Sequence, residues 1–277
     1  MSRVELHYGA ATDVGRVREV NEDSYLAAPP VFVVADGMGG HDGGDVASRI
    51  VVEEFARLAE EGYDPRRGSI AVAETLVACH RRITEYAEEQ SRHTGRDFQA
   101  GTTAVVALLV EDDAQEGGAP KWLLANVGDS RIYRFVDGDL EQVSVDHSLV
   151  QELADEGTIT REEMSSHPAR HVVTRALGGP ELEDADYFLL PLASAERLLL
   201  CSDGINEMIG DREVAAILAD ATDPRDAADR LVAAAVAAGG RDNATAVVVD
   251  VMGLESESGY DSERQRVSLE MKLGARP

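Results

Sequence analysis

Two cysteines in 277 residues, Cys79 and Cys201, are too few for a disulfide framework. Both lie in apolar runs, which predicts buried free thiols in a reducing compartment. No Cys/His ligand spacing is present, which excludes a structural zinc fold. No apolar run approaches the roughly 18 to 20 residues of a membrane span. The opening stretch, MSRVELHYGAATDVG, has no long apolar segment and no cleavage signature. No signal peptide is expected, and the expected location is the cytoplasm. Bases are scarce as well: 26 against 52 acids, a net charge of −26. Phosphate backbones would be repelled, so neither nucleic acid nor an anionic membrane is an expected partner. There is no internal repeat.

What is there is an ordinary globular composition, 44% hydrophobic and 28% charged. A chain of this length holds one large domain or two small ones with a substantial core. Short β-branched runs predict strands at 4–10, 31–35, 102–110, 121–126, 131–136, 186–190, 197–201 and 244–251. Asp137-Gly138 marks a tight hairpin. Apolar residues at helical spacing predict helices over 45–61, 69–90, 211–219 and 224–238. Asp45, Ser69 and Asp223 are the candidate caps, with Pro224 at the first helical position of the last. Residues 147–180 are polar, with two short helical stretches, and read as a surface excursion. Residues 253–277 are polar and aperiodic and read as a mobile tail. Strands and helices come in groups, not in strict alternation. That predicts packed antiparallel sheets with helices outside, not a doubly wound parallel sheet.

Four acids share one local design. Asp36 follows VFVVA, Asp129 follows LLANVG, Asp203 follows LLLCS, and Asp242 precedes NATAVVVDV. Glycine adjoins three of them, in Asp36-Gly37, Gly128-Asp129 and Asp203-Gly204. Any one such pair by itself reads as a turn. Four of them, each against an apolar strand, point to one cleft. Carboxylates gathered there would repel each other or take up protons unless hard divalent cations joined them. In that arrangement Asp36 bridges two ions and the Gly37 carbonyl is a further ligand. Residues 12–24, TDVGRVREVNEDS, carry Arg16 and Arg18 before Glu22-Asp23. Alone, such an arginine is a solvated charge; in a metal cleft it is a phosphate fork.

The ordered runs R-E-V-N-E-D-S, V-V-A-D-G-M-G-G-H, G-T-T, V-G-D-S-R, D-H-S, T-R-A-L-G, L-C-S-D-G and R-D-N-A-T resemble the metal-dependent serine/threonine protein phosphatases of type 2C, in their bacterial form. The resemblance covers about residues 5–252. It implies an α+β fold, a four-layer αββα sandwich of two antiparallel sheets flanked by helix pairs. The implied catalytic domain is 1–252, with 147–180 as a flap beside the active site. It implies two Mn²⁺ or Mg²⁺ ions, with Asp36 bridging, Gly37 on one ion, and Asp203 and Asp242 on the other. Glu22 and Asp23 would act from behind the direct ligands or through water. Asp129, with Asp203, would hold a third, weaker ion. Arg18 would bind substrate phosphate, ahead of Arg16 on spacing. The implied reaction is hydrolysis of phosphoserine and phosphothreonine in proteins by a metal-bridging hydroxide, opposing Ser/Thr kinases, in a monomer.

One departure stands out. Animal members carry a histidine after the D-G pair; here the position is Met38. His41, three residues on, is a candidate general acid, though a structural or surface role is the expectation. Ser202 invites a phosphoserine intermediate, which nothing in the sequence supports. Ser256, Ser258 and Tyr260 in the tail read as solvated linker residues. Two further readings stay open: a phosphoprotein-binding module without hydrolysis, which would require missing metal acids, and a phosphatase of small phosphoesters.

Overall fold

A computed structural model of the chain describes residues 4–38, 43–111, 120–182, 184–192 and 196–254. The strands are β1 (Val4–Asp13), β2 (Asp23–Ala28), β3 (Val31–Met38), β4 (Gly101–Thr102), β5 (Ala104–Glu111), β6 (Pro120–Val127), β7 (Arg131–Val136), β8 (Asp139–Gln142), β9 (Asp186–Pro191), β10 (Arg197–Cys201) and β11 (Ala244–Leu254). The α-helices are α1 (Gly44–Glu61), α2 (Gly68–Thr94), α3 (Leu149–Asp155), α4 (Arg161–Met164), α5 (Asp203–Asn206), α6 (Asp211–Asp220) and α7 (Pro224–Ala238). One sheet runs β1-β11-β10-β7-β8 and the other β2-β3-β5-β6-β9, with β4 on β3. Every pairing among these strands is antiparallel.

Alternation along the strands builds three apolar layers. Val31, Val33 and Ala35 of β3 and Val106 and Leu108 of β5 face outward, onto Val51 and Phe55 of α1 and Val72, Cys79 and Ile83 of α2. The intervening Phe32, Val34, Val105 and Ala107 face inward. They meet Trp122, Leu198, Leu200, Val247 and Val249 between the sheets. On the far side Leu199, Cys201, Ala246 and Val248 pack under α6 and α7 through Val214, Leu218, Ala228 and Leu231. Helices thus cover both outer faces, which is why the central strands read as continuous apolar runs. Burying one such side chain is worth about 1.5–3 kcal/mol, and a one-residue slip would move every member of a strand to the wrong layer. The four-layer sandwich expected from the resemblance is the fold of the protein.

Local chemistry sets several boundaries. Asp137 (φ 53°) and Gly138 (φ 89°) make the β7–β8 hairpin turn, where two positive φ angles match the strand twist. The Asp223 side chain accepts from the Arg225 N–H and Pro224 follows, as expected. Two expected caps fail. Helix α1 starts at Gly44 with Gly43 as its cap and no side-chain bond, so Asp45 lies inside the first turn. Helix α2 starts at Gly68, so Ser69 is also inside the helix; Asp64 caps the short 3₁₀ turn before it. Cys79 and Cys201 are buried free thiols. Among the described residues, no helix is long and apolar enough to cross a membrane. His41 and the tail serines and tyrosine lie outside the described residues.

Candidate active site

The inward-facing layer changes character where the strands run out. Two residues past Val34 on the same face of β3 comes Asp36. Two before Val105 comes Thr103, two after Leu200 comes Ser202, and two before Val247 comes Thr245. These polar residues hold one another. The Thr103 hydroxyl accepts from the Asp36 N–H at 3.0 Å and lies 2.7 Å from the Ser130 hydroxyl. The Ser202 hydroxyl donates to Asp23 Oδ2 at 2.7 Å and accepts from the Thr245 N–H at 3.0 Å. This buried oxygen is fully engaged, which fits a structural serine and not a nucleophile. The strand periodicity that builds the core therefore also builds the polar floor of a cleft at the end of the sandwich.

The cleft has a volume of about 570 Å³, and Arg18, Glu22, Asp36, Gly37, Met38, Asp129, Asp203 and Asp242 all line it. Each arrives on a different support. Asp36 and Gly37 end β3, with Asp36 paired in register to Asp23 of β2. Asp129 sits in the tight turn between β6 and β7, after Gly128 at φ 107°. Asp203 is the first residue of α5, directly after β10. Asp242 precedes β11. Asp23 lies beneath the cleft, buried, and does not line it.

The charges are in conflict. Burial first, then the carboxylates of Asp23, Asp203, Asp129 and Asp242, hold the Asp36 carboxyl well above the usual carboxylate range. Burial, then Asp129, Glu207, Asp242 and Asp23, do the same to Asp203. Burial pushes Asp23 up to about 6 against the hydroxyls of Thr245 and Ser202, which favour its charged form. Asp129 also rises to about 6, from burial and then Asp146. Asp23 Oδ1 is buried without a hydrogen-bond partner. An all-oxygen donor set, mutual repulsion and an orphaned carboxylate oxygen are the features a hard divalent cation satisfies. Met38 brings no proton donor to this wall.

Arg18 Nη2 donates to Asp242 Oδ2 at 2.6 Å. The guanidinium is thus at the cleft, but on a carboxylate. Arg16 is held by its backbone N–H, which donates to the Gly240 carbonyl at 2.7 Å, and it does not line the cleft. Gly37 is constrained by space: a Cβ there would overlap the Gly44 carbonyl and lie 2.6 Å from the Glu22 carbonyl oxygen. Its missing side chain lets α1 and the 14–22 loop close on β3.

Three residues carry parts that sequence reasoning does not assign. Asn243 Nδ2 donates to the carbonyls of Val14 and Val20, both at 3.0 Å, and its Oδ1 accepts from the Glu22 N–H at 2.8 Å. It fastens the loop bearing Arg18 and Glu22. His147 is buried; its Nδ1 accepts from the Gly128 N–H at 3.1 Å and its backbone N–H donates to the Gly128 carbonyl at 2.9 Å. It therefore sets the turn that presents Asp129. His171 Nδ1 lies 2.9 Å from Glu207 Oε1, and these two with Asp203 offer ligand atoms all within 4.8 Å of one another. The R-D-N-A-T and D-H-S runs are the only sequence signals for the first two. Nothing in the sequence points to the third.

Comparison with known proteins places the chain and its fold among relatives. A family model described as Protein phosphatase 2C covers residues 16–239. The chain is 34% identical over 257 residues to the serine/threonine phosphatase stp of Listeria monocytogenes, across 88% of this chain and 96% of that protein. The crystal structure of the Mycobacterium tuberculosis serine/threonine phosphatase PstP/Ppp superposes with a TM-score of 0.76 at 36% identity, over 91% of this chain and 100% of that one. A structure of the PstP catalytic domain in complex with two manganese ions superposes with a TM-score of 0.73 at 35% identity, over the same shares.

Proposed function

Because the chain belongs to the protein phosphatase 2C family, we propose that it hydrolyses phosphoserine and phosphothreonine in proteins at a centre of two Mn²⁺ or Mg²⁺ ions. The observation that carries this reading is the convergence of Asp36, Asp129, Asp203 and Asp242, from four separate supports, on one cleft shared with Arg18. In this reading Asp36, the Gly37 carbonyl, Asp203 and Asp242 would hold the two ions. Glu22 and Asp23 act through water. Asp129 and Asp203 would hold a third, weaker ion, on the side where His171 and Glu207 face Asp203. Bound there, the ions supply hydroxide at neutral pH and offset the phosphoryl charge.

The chain's own residues do the rest. The Thr103 hydroxyl holds the Asp36 backbone, and Ser202, itself held by the Thr245 N–H, holds the Asp23 carboxylate beneath the cleft. Asn243 holds the loop that carries Arg18 at the rim. Substrate phosphate competes with Asp242 for the Arg18 guanidinium, whose planar fork matches two phosphoryl oxygens. Arg18→Ala is expected to raise the KM for a phosphothreonine peptide about tenfold with kcat within a few-fold. An unchanged KM removes Arg18 from the phosphate site.

The proposed substrates are Ser/Thr kinases and their targets, met in the cytoplasm by a monomer. A protein substrate is favoured over a small phosphoester because the cleft continues into a second groove beside α3 and α4. Metal titration of activity on a phosphothreonine peptide is the test. EDTA is expected to lower turnover by at least about 10³-fold, since metal polarisation is worth several kcal/mol, and added Mn²⁺ to restore it. Turnover indifferent to chelation would overturn the reading.

A further inference from the structure

Beside the carboxylate cleft lies a groove of about 770 Å³, running between α3–α4 of the 147–180 segment and the α5–α6 end of the other sheet. Asp129, Arg170, Asp203, Glu207 and Arg241 line both, so the two spaces are continuous. A substrate chain with its phosphorylated residue at the aspartates has this groove open to one of its flanks.

The charges along the groove are unevenly committed. Asp146 is held by Arg131 in a pair with contacts of 2.7 and 3.0 Å. Glu207 is held by His171 at 2.9 Å, and Asp211 accepts from the Tyr133 hydroxyl at 3.3 Å. Asp129 and Asp203 belong to the proposed ion centre. Against these stand Arg161, Arg170 and Arg241, whose guanidinium groups make no hydrogen bond or ion pair with the described residues. Arg161 begins α4, Arg170 lies in the turn after it, and Arg241 adjoins Asp242 on the opposite wall. Guanidinium groups free of hydrogen bonds and ion pairs occur elsewhere among the described residues too, at Arg66 and Arg96 for example, but these three face one groove in a protein of net charge −26. They lie where a substrate would leave the reaction centre.

We infer that this groove binds the acidic flank of the substrate: Arg161, Arg170 and Arg241 receive Asp or Glu side chains placed near the phosphorylated residue. The inference rests on the phosphatase reading and narrows its substrate class to acidic phosphopeptides. Carboxylate–guanidinium pairs give geometric selectivity, and at a solvent-open site they weaken as salt shortens the screening length to about 10 Å at 0.1 M. The rest of the negative surface repels such peptides, so the preference has to come from this local cationic wall.

The test uses the full chain loaded with Mn²⁺ and phosphothreonine peptides flanked by Glu on either side, by Gln, or by Lys, with p-nitrophenyl phosphate alongside. One Glu-flanked peptide is expected to exceed its Gln counterpart about tenfold in kcat/KM at low salt, mainly through KM, with the ratio shrinking as salt rises. In the combined Arg161→Met, Arg170→Met, Arg241→Met variant the Glu-to-Gln ratio is expected to fall to near one. The corresponding Lys substitutions should keep part of it. Equal kcat/KM on Glu and Gln peptides in the wild type, or a ratio untouched by the Met substitutions, overturns the inference. Fluorescence anisotropy of labelled peptides decides the same comparison by affinity. If no substrate at all is hydrolysed, p-nitrophenyl phosphate included, the phosphatase reading has failed. The groove then stands or falls on the anisotropy ratio alone.

Discussion

Asp203→Asn is expected to lower Mn²⁺-dependent turnover of a phosphothreonine peptide by about 10³-fold or more, while the metal-free protein melts no lower than the wild type. The two halves of this result come from one cause. Asp203 is proposed to serve one ion of the main pair and the third ion as well, so losing its charge weakens two of the three sites in the cleft. Without metal, the same charge is a burden. Burial and the neighbouring Asp129, Glu207 and Asp242 raise its pKa above the ordinary value of 3.8. The folded form therefore keeps a proton that the unfolded form gives up, and metal-free stability falls as pH rises above that ordinary value. An amide of the same shape removes this cost. Melting scans at neutral pH with EDTA, and again with Mn²⁺, separate the effects: the Mn²⁺-induced upward shift seen in the wild type should be smaller in the variant. Near-normal turnover in Asp203→Asn would remove this residue from the metal centre, and a melting point well below wild type would mean that its carboxylate holds the fold together.

Gly204→Ala, one residue on, should instead damage the fold first. A Cβ at this position would overlap the Asn243 carbonyl oxygen and lie 2.9 Å from its carbonyl carbon. Both are backbone atoms at the entry to β11, so no side-chain rotation relieves the clash. Either α5 or the strand must move. Overpacking of this kind costs about 1–3 kcal/mol or more. The shift would also part Asp203 from Asp242 and disturb Asn243, which fastens the 14–22 loop. A displacement near 1 Å at reacting groups can cost about 100-fold in rate, so kcat is expected to fall by about that factor in whatever fraction stays folded. A variant with unchanged melting and unchanged kcat would show that the contact between α5 and β11 has room the geometry denies. The contrast with Asp203→Asn separates charge from shape at adjacent positions.

Much of this architecture is legible in the order of the amino acids. The runs VFVVA, LLLC and ATAVVVDV are apolar on both faces because each strand has a sheet on one side and helices on the other. Their terminal acids, each close to glycine or to a tight turn, announce a shared cleft. Strand β2 escapes a pattern search because DSYLAA has exposed and half-buried positions without clean alternation. Helix α5 is four residues long, too short for any period to show. The failed caps at Asp45 and Ser69 reflect helices that begin a residue or more before the first good capping side chain, on glycines packed closely against neighbours. Asn243 and His147 stand in recognisable motifs that do not disclose their roles. What each does depends on bonds to backbone groups 19 to 229 positions away.

Two local quantities, the two-residue period of a strand and the hard-oxygen character of a carboxylate, assign the strand residues to their layers and the acids to their chemistry. Amino-acid order alone is enough for both. Which groups meet is settled by packing. Asp36 faces Asp23 through one strand register, Arg18 reaches Asp242 across 224 positions, and three arginines are left free along one groove. Those outcomes depend on how two sheets and an excursion pack against each other, and no local spacing encodes that relation.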